Sequence, residues 1–317
     1  MSHNDQFGIH KEGRDLFAAR FGSLVARAAR RLLPSNTLLN RVAVPIPTEA
    51  LDSLNIPVDP FRVDLDEMAE WGDTYVPAVG NAFGSVRRKK TLELYLSFKI
   101  LSLNEQDVYL DAAGGRFSYA GSAAVRRAYL EDLRITKRLR DELEGPVHFV
   151  EASADCIPLP DRSVDKISCH HSFEHFQRGS DIGFIDEVKR LLAPGGRCVV
   201  VPILIAQRHV LATDLLGFRF WSELGIRVRD PTATLPGGEA CGNFARIYSP
   251  SSFRERILNR IENGGEFSAR ICYATTGQAA ELPGADRAVG PVGSHVNRYY
   301  RALVIDRSGS LRHGGLA

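Results

Sequence analysis

Cysteine is scarce in this sequence, and its placement argues against two kinds of site. Five cysteines occur in 317 residues, at Cys156, Cys169, Cys198, Cys241 and Cys272. Their number is odd and no two have CxxC spacing, so neither a zinc site nor a redox pair is expected. Unpaired thiols fit a reducing cytoplasm, which is the compartment we expect.

Long apolar runs are also lacking. The N-terminal MSHNDQFGIHKEGR contains no apolar segment of the kind found in secretory signals. The most apolar stretch, residues 198–206, is too short to cross a membrane and contains Pro202. The sequence therefore predicts neither a secretory signal nor a membrane span.

The chain has little excess charge of either sign. Its 40 basic and 38 acidic residues leave a formal net charge of +2, so nucleic acid is not an expected partner. With 44% apolar and 25% charged residues, the composition is that of a soluble globular chain. Collagen-like, largely disordered and disulfide-scaffold proteins are excluded.

Residues 1–84 are expected to form an N-terminal extension. Residues 15–33 repeat apolar side chains at helical spacing with arginines opposite, which predicts a basic amphipathic helix. This helix can pack on the domain body, form a homodimer contact or lie on an anionic membrane surface. Small alanines on its apolar face favour the first two. Residues 41–81 are rich in proline without a clear period, so an irregular ordered arm is predicted.

From residue 85 onward, helical and strand patterns alternate. Helices are predicted over 85–103 and 182–192, the second ended by the Pro-Gly-Gly at 194–196. Strands are predicted at 108–111, 128–130, 148–150, 166–169 and 198–202, and a final hairpin with a long connection at 270–274 and 301–305. This alternation is typical of parallel βαβ units, whose ligands bind at the carboxyl ends of the strands.

Two motifs follow neighbouring strands. VYLDAAGGRF, residues 108–117, ends a strand in Asp111 and turns through two glycines, without the patterns of a P-loop or a GxGxxG dinucleotide site. AYLED, residues 128–132, ends in Glu131 and Asp132, either of which can accept hydrogen bonds from two ribose hydroxyls. Because side chains alternate along a strand, only one of these two carboxylates is expected to point inward. Two alternatives stay open: residues 108–117 can be a simple turn, and Glu131 and Asp132 can be a solvated acidic pair in a loop.

A longer run carries a family resemblance. Residues 150–176 read VEASADCIPLPDRSVDKISCHHSFEHF, and residues 186–202 read DEVKRLLAPGGRCVVVP. In their order and spacing, these phrases and the two preceding motifs resemble class I S-adenosylmethionine-dependent methyltransferases. The resemblance is to the branch that acts on small molecules such as quinones, sterols and sugars. It covers about residues 107–205.

The resemblance implies an architecture. We expect an α/β, Rossmann-like, doubly wound and mostly parallel seven-stranded sheet with a helical and irregular N-terminal extension. The methyltransferase core would span residues 85–308, with an acceptor-shaping insertion at about 205–267 and a tail at 309–317.

The resemblance also implies a set of cofactor-binding residues. S-adenosylmethionine would be held by Asp111, Ala113, Gly114, Gly115, Asp132, Ser153, Ala154, Asp155 and His170. The chain departs from the family pattern at three of its positions. Ala113 and Phe117 stand where glycines are usual, and Ser153 stands where an aspartate is usual, a role that Asp155 can take over.

Catalytic candidates cluster behind the fourth core strand. His171 and His175 are four residues apart and would share a helical face, with Glu174 beside them. Three interpretations stay open: a general base with a partner carboxylate, His171 being preferred; a structural role for His175; and a metal site suggested by the His-x3-His spacing. Since no second acidic cluster is obvious, no metal is assigned.

The leading hypothesis is a methyltransferase that acts on a small-molecule or saccharide acceptor. Transfer to oxygen, in secondary-metabolite or polysaccharide biosynthesis, is expected. The alternatives are a non-catalytic binding or scaffold protein with the same fold, an N- or C-methyltransferase, and, with less support, a nucleic-acid methyltransferase.

Overall fold

A computed structural model describes residues 44, 46–76, 85–115, 118–143, 145–212, 245–276 and 300–309. The helix predicted over residues 15–33, the departure at Phe117, residues 310–317 of the tail and residues 213–244 of the proposed insertion lie outside this part of the chain.

The strands and helices follow the alternation expected from the sequence. The strands are β1 Val58–Arg62, β2 Val108–Ala112, β3 Arg127–Asp132, β4 Val147–Glu151, β5 Val164–His170, β6 Leu192–Val201, β7 Val210–Ala212, β8 Ala245–Ile247, β9 Phe267–Thr275 and β10 Arg301–Arg307. The helices are α1 Leu65–Tyr75, α2 Ser85–Leu101, α3 Lys137–Glu142, α4 Ser180–Leu191, α5 Pro250–Phe253 and α6 Asn259–Glu262. A π-helical turn, Arg254–Leu258, joins α5 to α6, and 3-10 helices occupy Thr48–Leu54 and Phe173–His175.

The main sheet is the predicted doubly wound, mostly parallel one. Its strand order is β1-β9-β10-β6-β5-β2-β3-β4, and β10 runs antiparallel to both of its neighbours while the other pairs are parallel. The pairing of β9 with β10 confirms the predicted final antiparallel pair. The expected strand number is wrong by one, because β1 adds an eighth strand at the edge.

That eighth strand comes from the proline-rich segment, for which an irregular arm was the expectation. The expectation is wrong for residues 48–75, which form a 3-10 helix, β1 and α1. Pro60 lies inside β1, and an edge strand tolerates proline because one side of it needs no ladder donor. The Asp64 side chain accepts from the backbone N–H groups of Asp66 and Glu67, which caps α1. The division of the chain at residue 84 stays a prediction.

The Pro-Gly-Gly at residues 194–196 does not form the turn that the sequence predicts after α4. The helix ends at Leu191 and the chain passes directly into β6, so these residues lie within that strand. There the register against β5 shifts, from Val164 opposite Leu192 to Lys166 opposite Arg197. The proline and glycines form an irregularity in the sheet.

Two apolar layers cover the sheet. One contains the buried face of α4, where Phe184, Ile185 and Val188 recur at helical spacing and pack with the helix after β8. The other contains Trp71 of α1 and Tyr95 of α2. Strand β2 is buried along its whole length because both of its faces are covered. Among the described helices, none is long and apolar enough to cross a membrane.

Gly145, in the turn before β4, packs against the backbone of Gly121 too closely for a side chain. Gly145 has a φ of +92°, and a Cβ there would lie 2.1 Å from the backbone oxygen of Gly121. Gly264 has a similar φ of +96° with open space around it. We expect Gly145→Ala to lower the free energy of unfolding by about 2–4 kcal/mol and Gly264→Ala by only about 1–2 kcal/mol, in urea denaturation. Equal losses would contradict the steric argument.

Candidate functional site

The predicted site residues meet at one edge of the main sheet. Strands β5, β2, β3 and β4 are consecutive neighbours and run parallel, so their carboxyl ends lie side by side. This edge carries Asp111 from β2, the pair Glu131 and Asp132 from β3, and His170 from β5. It is the position at which open α/β sheets bind ligands.

Asp111 is completely buried at this edge. Its Oδ1 accepts a hydrogen bond from Ser168 Oγ at 2.7 Å and lies 3.1 Å from His170 Nδ1. Its Oδ2 has no hydrogen-bond partner among the described residues. A Cβ at position 114 would lie only 2.7 Å from that oxygen, so the close approach of the loop requires Gly114.

The glycine-rich loop closes onto the end of β3. Ala113 N donates to Glu131 Oε2 at 3.0 Å, and Gly114 N donates to the Glu131 carbonyl at 3.1 Å. Ala113 has a φ of +49° and Gly115 one of +59°. Alanine therefore adopts the left-handed conformation at the position where the family has glycine, at a cost of about 1–2 kcal/mol.

Of the two candidate ribose-binding carboxylates, Glu131 is the more deeply buried. Its Oε1 lacks a hydrogen-bond partner within the described chain. Burial, reinforced by Asp132, Asp111 and Asp155, raises the pKa of Glu131 to about 8, although the Ala113 N–H opposes the shift. Asp132 is the carboxylate that the resemblance matches to the ribose hydroxyls, whereas Glu131 is the more deeply buried of the two.

Asp132 lies at the mouth of the same loop and is half-buried. Its Oδ1 accepts from Arg134 N at 3.1 Å, and its Oδ2 is 4.0 Å from the position of a Cβ on Gly115. Burial raises the pKa of Asp132 above its ordinary value. Leu133 follows with 69% of its surface exposed, so an apolar side chain borders the carboxylate.

The segment predicted to contact adenine follows β4. Ala152 N donates to the Asp132 carbonyl at 3.2 Å, which ties the segment to the ribose-binding candidates. Ser153 Oγ donates to Asp155 Oδ1 at 2.5 Å, and Ala154 is buried. The two polar side chains that were weighed as alternatives are thus bonded to each other.

The histidine cluster adjoins this edge on the other side. His171 follows β5 with a φ of +52°, and the Glu174 Oε1 lies 3.9 Å from His171 Nδ1 and 3.8 Å from His175 Nε2. The structure brings all three predicted catalytic residues together. The expected shared helical face is wrong, because His171 precedes the short 3-10 helix and reaches Glu174 through a turn.

Glu93 of α2 is the residue that sequence reasoning missed. Its carboxylate is fully buried, and its Oε2 contacts His171 Nε2. Burial lowers the pKa of His171, which Glu93 partly opposes, so the imidazole is neutral near pH 7. The available signal was a single acidic residue inside the apolar stretch TLELYL, residues 91–96, because a carboxylate is rarely buried without a polar partner.

The residues at this edge fit S-adenosylmethionine. Asp111, Glu131 and Glu174 each keep one buried oxygen without a hydrogen-bond partner in the described part of the chain. Buried acceptors need donors or cations, and the cofactor offers an ammonium, a sulfonium and two ribose hydroxyls. As for metal, no group of three or more His, Cys, Asp or Glu side chains among the described residues could hold an ion.

One family model matches part of the chain. Residues 123–200 match the family model described as a methyltransferase domain. A search of curated proteins found no match.

Several solved structures are similar in fold. A chain of the complex between the Haloferax volcanii Trm112 methyltransferase activator and a methyltransferase is 12% identical, with a TM-score of 0.47, covering 78% of this chain and 99% of that one. The Burkholderia thailandensis 1,6-didemethyltoxoflavin-N1-methyltransferase, with bound 1,6-didemethyltoxoflavin and S-adenosylhomocysteine, is 12% identical, with a TM-score of 0.45, covering 80% and 94%. The [4+2]-cyclase SpnF is 14% identical, with a TM-score of 0.43, covering 80% and 98%.

At 12–14% identity, these structures are similar to this chain in fold alone. Residues 123–200 match a methyltransferase domain, and they lie in a doubly wound, mostly parallel α/β sheet.

Proposed function

We propose that this protein transfers a methyl group from S-adenosylmethionine to a hydroxyl oxygen of a small-molecule or saccharide acceptor. One observation carries the proposal: two kinds of group lie together at the ligand-binding edge of the sheet. The first is a set of buried carboxylate oxygens without hydrogen-bond partners among the described residues. The second is the neutral imidazole of His171, which contacts the buried carboxylate of Glu93. The first feature suits the cofactor, and the second suits a proton-bearing acceptor.

The carboxylates divide the binding task. When bound, the cofactor supplies a methyl group made electrophilic by a positively charged sulfur. Glu131 and Asp132, at the end of β3, would accept hydrogen bonds from the ribose hydroxyls. Asp111 would face a cationic part of the cofactor, since Gly114 brings the loop against its free oxygen. Holding cofactor and acceptor in line can supply roughly 7–11 kcal/mol of the barrier.

His171 would take the acceptor's proton. His171 Nε2 contacts Glu93 Oε2, so a neutral imidazole that carries its proton on Nε2 would direct that proton at Glu93 and leave Nδ1 to accept one. The Glu93 carboxylate then stabilises the imidazolium, as a carboxylate does behind other catalytic histidines. Such a base typically contributes about 10²–10⁴-fold in rate.

Binding tests the cofactor site first. We expect Asp132→Ala to weaken S-adenosylmethionine binding by roughly 10–100-fold in isothermal titration calorimetry, because hydrogen bonds to a charged group are lost. The control is Asp141→Asn on α3, whose carboxylate only pairs with Lys137 on the surface. Wild-type protein that fails to bind at millimolar cofactor would overturn the proposed function.

Glu131 gives the protein a predictable pH dependence. Its pKa is about 8 in the folded state against 4.5 ordinarily, so between these values the folded protein retains a proton that the unfolded chain releases. The contribution of Glu131 to stability is therefore lost as the pH rises from 4.5 to 8. We expect Glu131→Gln to gain stability over wild type by about 1.4 kcal/mol per pH unit in that window, in urea denaturation. A constant difference would contradict the burial argument.

His171 and Glu93 are tested together by the pH–rate profile. We expect His171→Ala to lower kcat by about 10²–10⁴-fold while leaving the cofactor Kd nearly unchanged. Glu93→Gln removes a negative charge that favours the imidazolium. It should therefore move the acidic limb of the profile to lower pH and reduce kcat. An equal loss of turnover and cofactor affinity in His171→Ala would indicate a structural histidine.

A further inference from the structure

We propose that Ser97, Ser168 and His170 are positioning residues that fix the Asp111 carboxylate with its second oxygen aimed at the amino-acid end of the cofactor. This inference rests on the proposed function, because it concerns the same cofactor site. It changes the role expected for His170 from the sequence: the histidine acts through Asp111 and does not itself bind the cofactor.

Two arms of hydrogen bonds converge on one oxygen of Asp111. In the first, Tyr109 Oη lies 2.6 Å from Ser168 Oγ, which lies 2.7 Å from Asp111 Oδ1. In the second, Tyr119 Oη lies 2.9 Å from Ser97 Oγ, which lies 2.8 Å from His170 Nε2, and His170 Nδ1 completes the arm at 3.1 Å from the same Oδ1. Every one of these side chains is buried.

The chemistry of the groups sets the direction of each bond. An ionised carboxylate only accepts, so the Ser168 hydroxyl and the His170 Nδ1–H both donate to Asp111. In a neutral imidazole, Nε2 then accepts from Ser97, and the two tyrosines donate to the two serines. Burial raises the pKa of both tyrosines, which keeps their hydroxyl protons available for this role. Every donor in the two arms thus points toward Asp111 Oδ1.

The other carboxylate oxygen is left for a ligand. His170 is the only ion-pair partner of Asp111 within the described residues. The Asp111 Oδ2 faces the loop at Gly114 and has no hydrogen-bond partner among those residues. A buried carboxylate oxygen without a partner favours a ligand that donates hydrogen bonds, above all a cationic one. The ammonium at the amino-acid end of the cofactor supplies both the charge and the hydrogen-bond donors.

The affinities for two adenosine ligands distinguish a positioning role from a general loss of structure in the binding site. S-adenosylhomocysteine carries the ammonium, whereas 5′-methylthioadenosine keeps the adenosine and a neutral sulfur but has no amino-acid end. We expect Ser97→Ala and Ser168→Ala, one on each arm, to weaken S-adenosylhomocysteine by roughly 3–30-fold in calorimetry. Binding of 5′-methylthioadenosine should stay within about twofold of wild type.

Matched variants complete the experiment. Ser102→Ala removes a hydroxyl that bonds only the Lys99 carbonyl after α2, and it should change neither Kd. His170→Asn retains an N–H near the Nδ1 position, so it should weaken S-adenosylhomocysteine less than His170→Leu does. Thermal unfolding identifies any variant that fails to fold, and the second arm then remains as an independent test.

The outcomes separate this inference from the proposed function. Wild-type protein that binds neither ligand overturns both. Wild-type binding of both ligands, with arm variants that lose the two equally or lose neither, overturns the positioning role alone. Selective loss of S-adenosylhomocysteine on both arms supports it.

Discussion

The structure of the site depends on one buried carboxylate. Asp111 lies next to the end of a strand whose five residues are all buried, so its oxygens are shielded from water and need hydrogen-bond partners from the protein or a ligand. That requirement accounts for neighbours that a plain apolar core would not contain. Ser168 and His170 are polar because they serve Asp111 Oδ1, and position 114 is glycine because the loop must approach Oδ2.

The same constraint explains the shape of the loop. Its N–H groups at Ala113 and Gly114 are directed to β3, where the Glu131 side chain and carbonyl accept them. Residue 113 must therefore enter the left-handed region, and the glycine-to-alanine departure adds strain without removing the conformation. His171 adopts a similar φ at the end of β5. Left-handed backbone thus follows the ends of both β2 and β5, and such strained residues are common where a site holds its groups in place.

The alternation of core strands and helices could be predicted from the sequence. Strands covered on both faces appear as short apolar runs, and the helices that cover them show apolar residues at helical spacing. Sequence patterns were insufficient for β1, since prolines at an edge strand look like an irregular segment when the sheet edge is not known. They were also insufficient for Glu93. Family motifs lie close together in the chain from Asp111 to His175, whereas the contact of Glu93 with His171 joins residues that are distant in sequence. The difference in burial between Glu131 and Asp132 could not be predicted either, because alternation within a short strand does not determine it.

Helix α2 contacts both the proposed base, His171, and the histidine that bonds Asp111, His170. Glu93 and Ser97 are one helical turn apart and contact the consecutive residues His171 and His170. A shift of α2 would therefore move the proposed base and the cofactor carboxylate together, while in-line transfer requires their relative position to be kept. α2 is in turn held by α1, through the packing of Trp71 on Tyr95 and the Lys99–Glu67 ion pair. Residues 123–200, which match the methyltransferase domain, contain neither Asp111 nor α2. Under the proposed function, the segment before that match would therefore belong to the catalytic architecture, since it sets the distance between the group that would bind the cofactor and the group that would accept the proton.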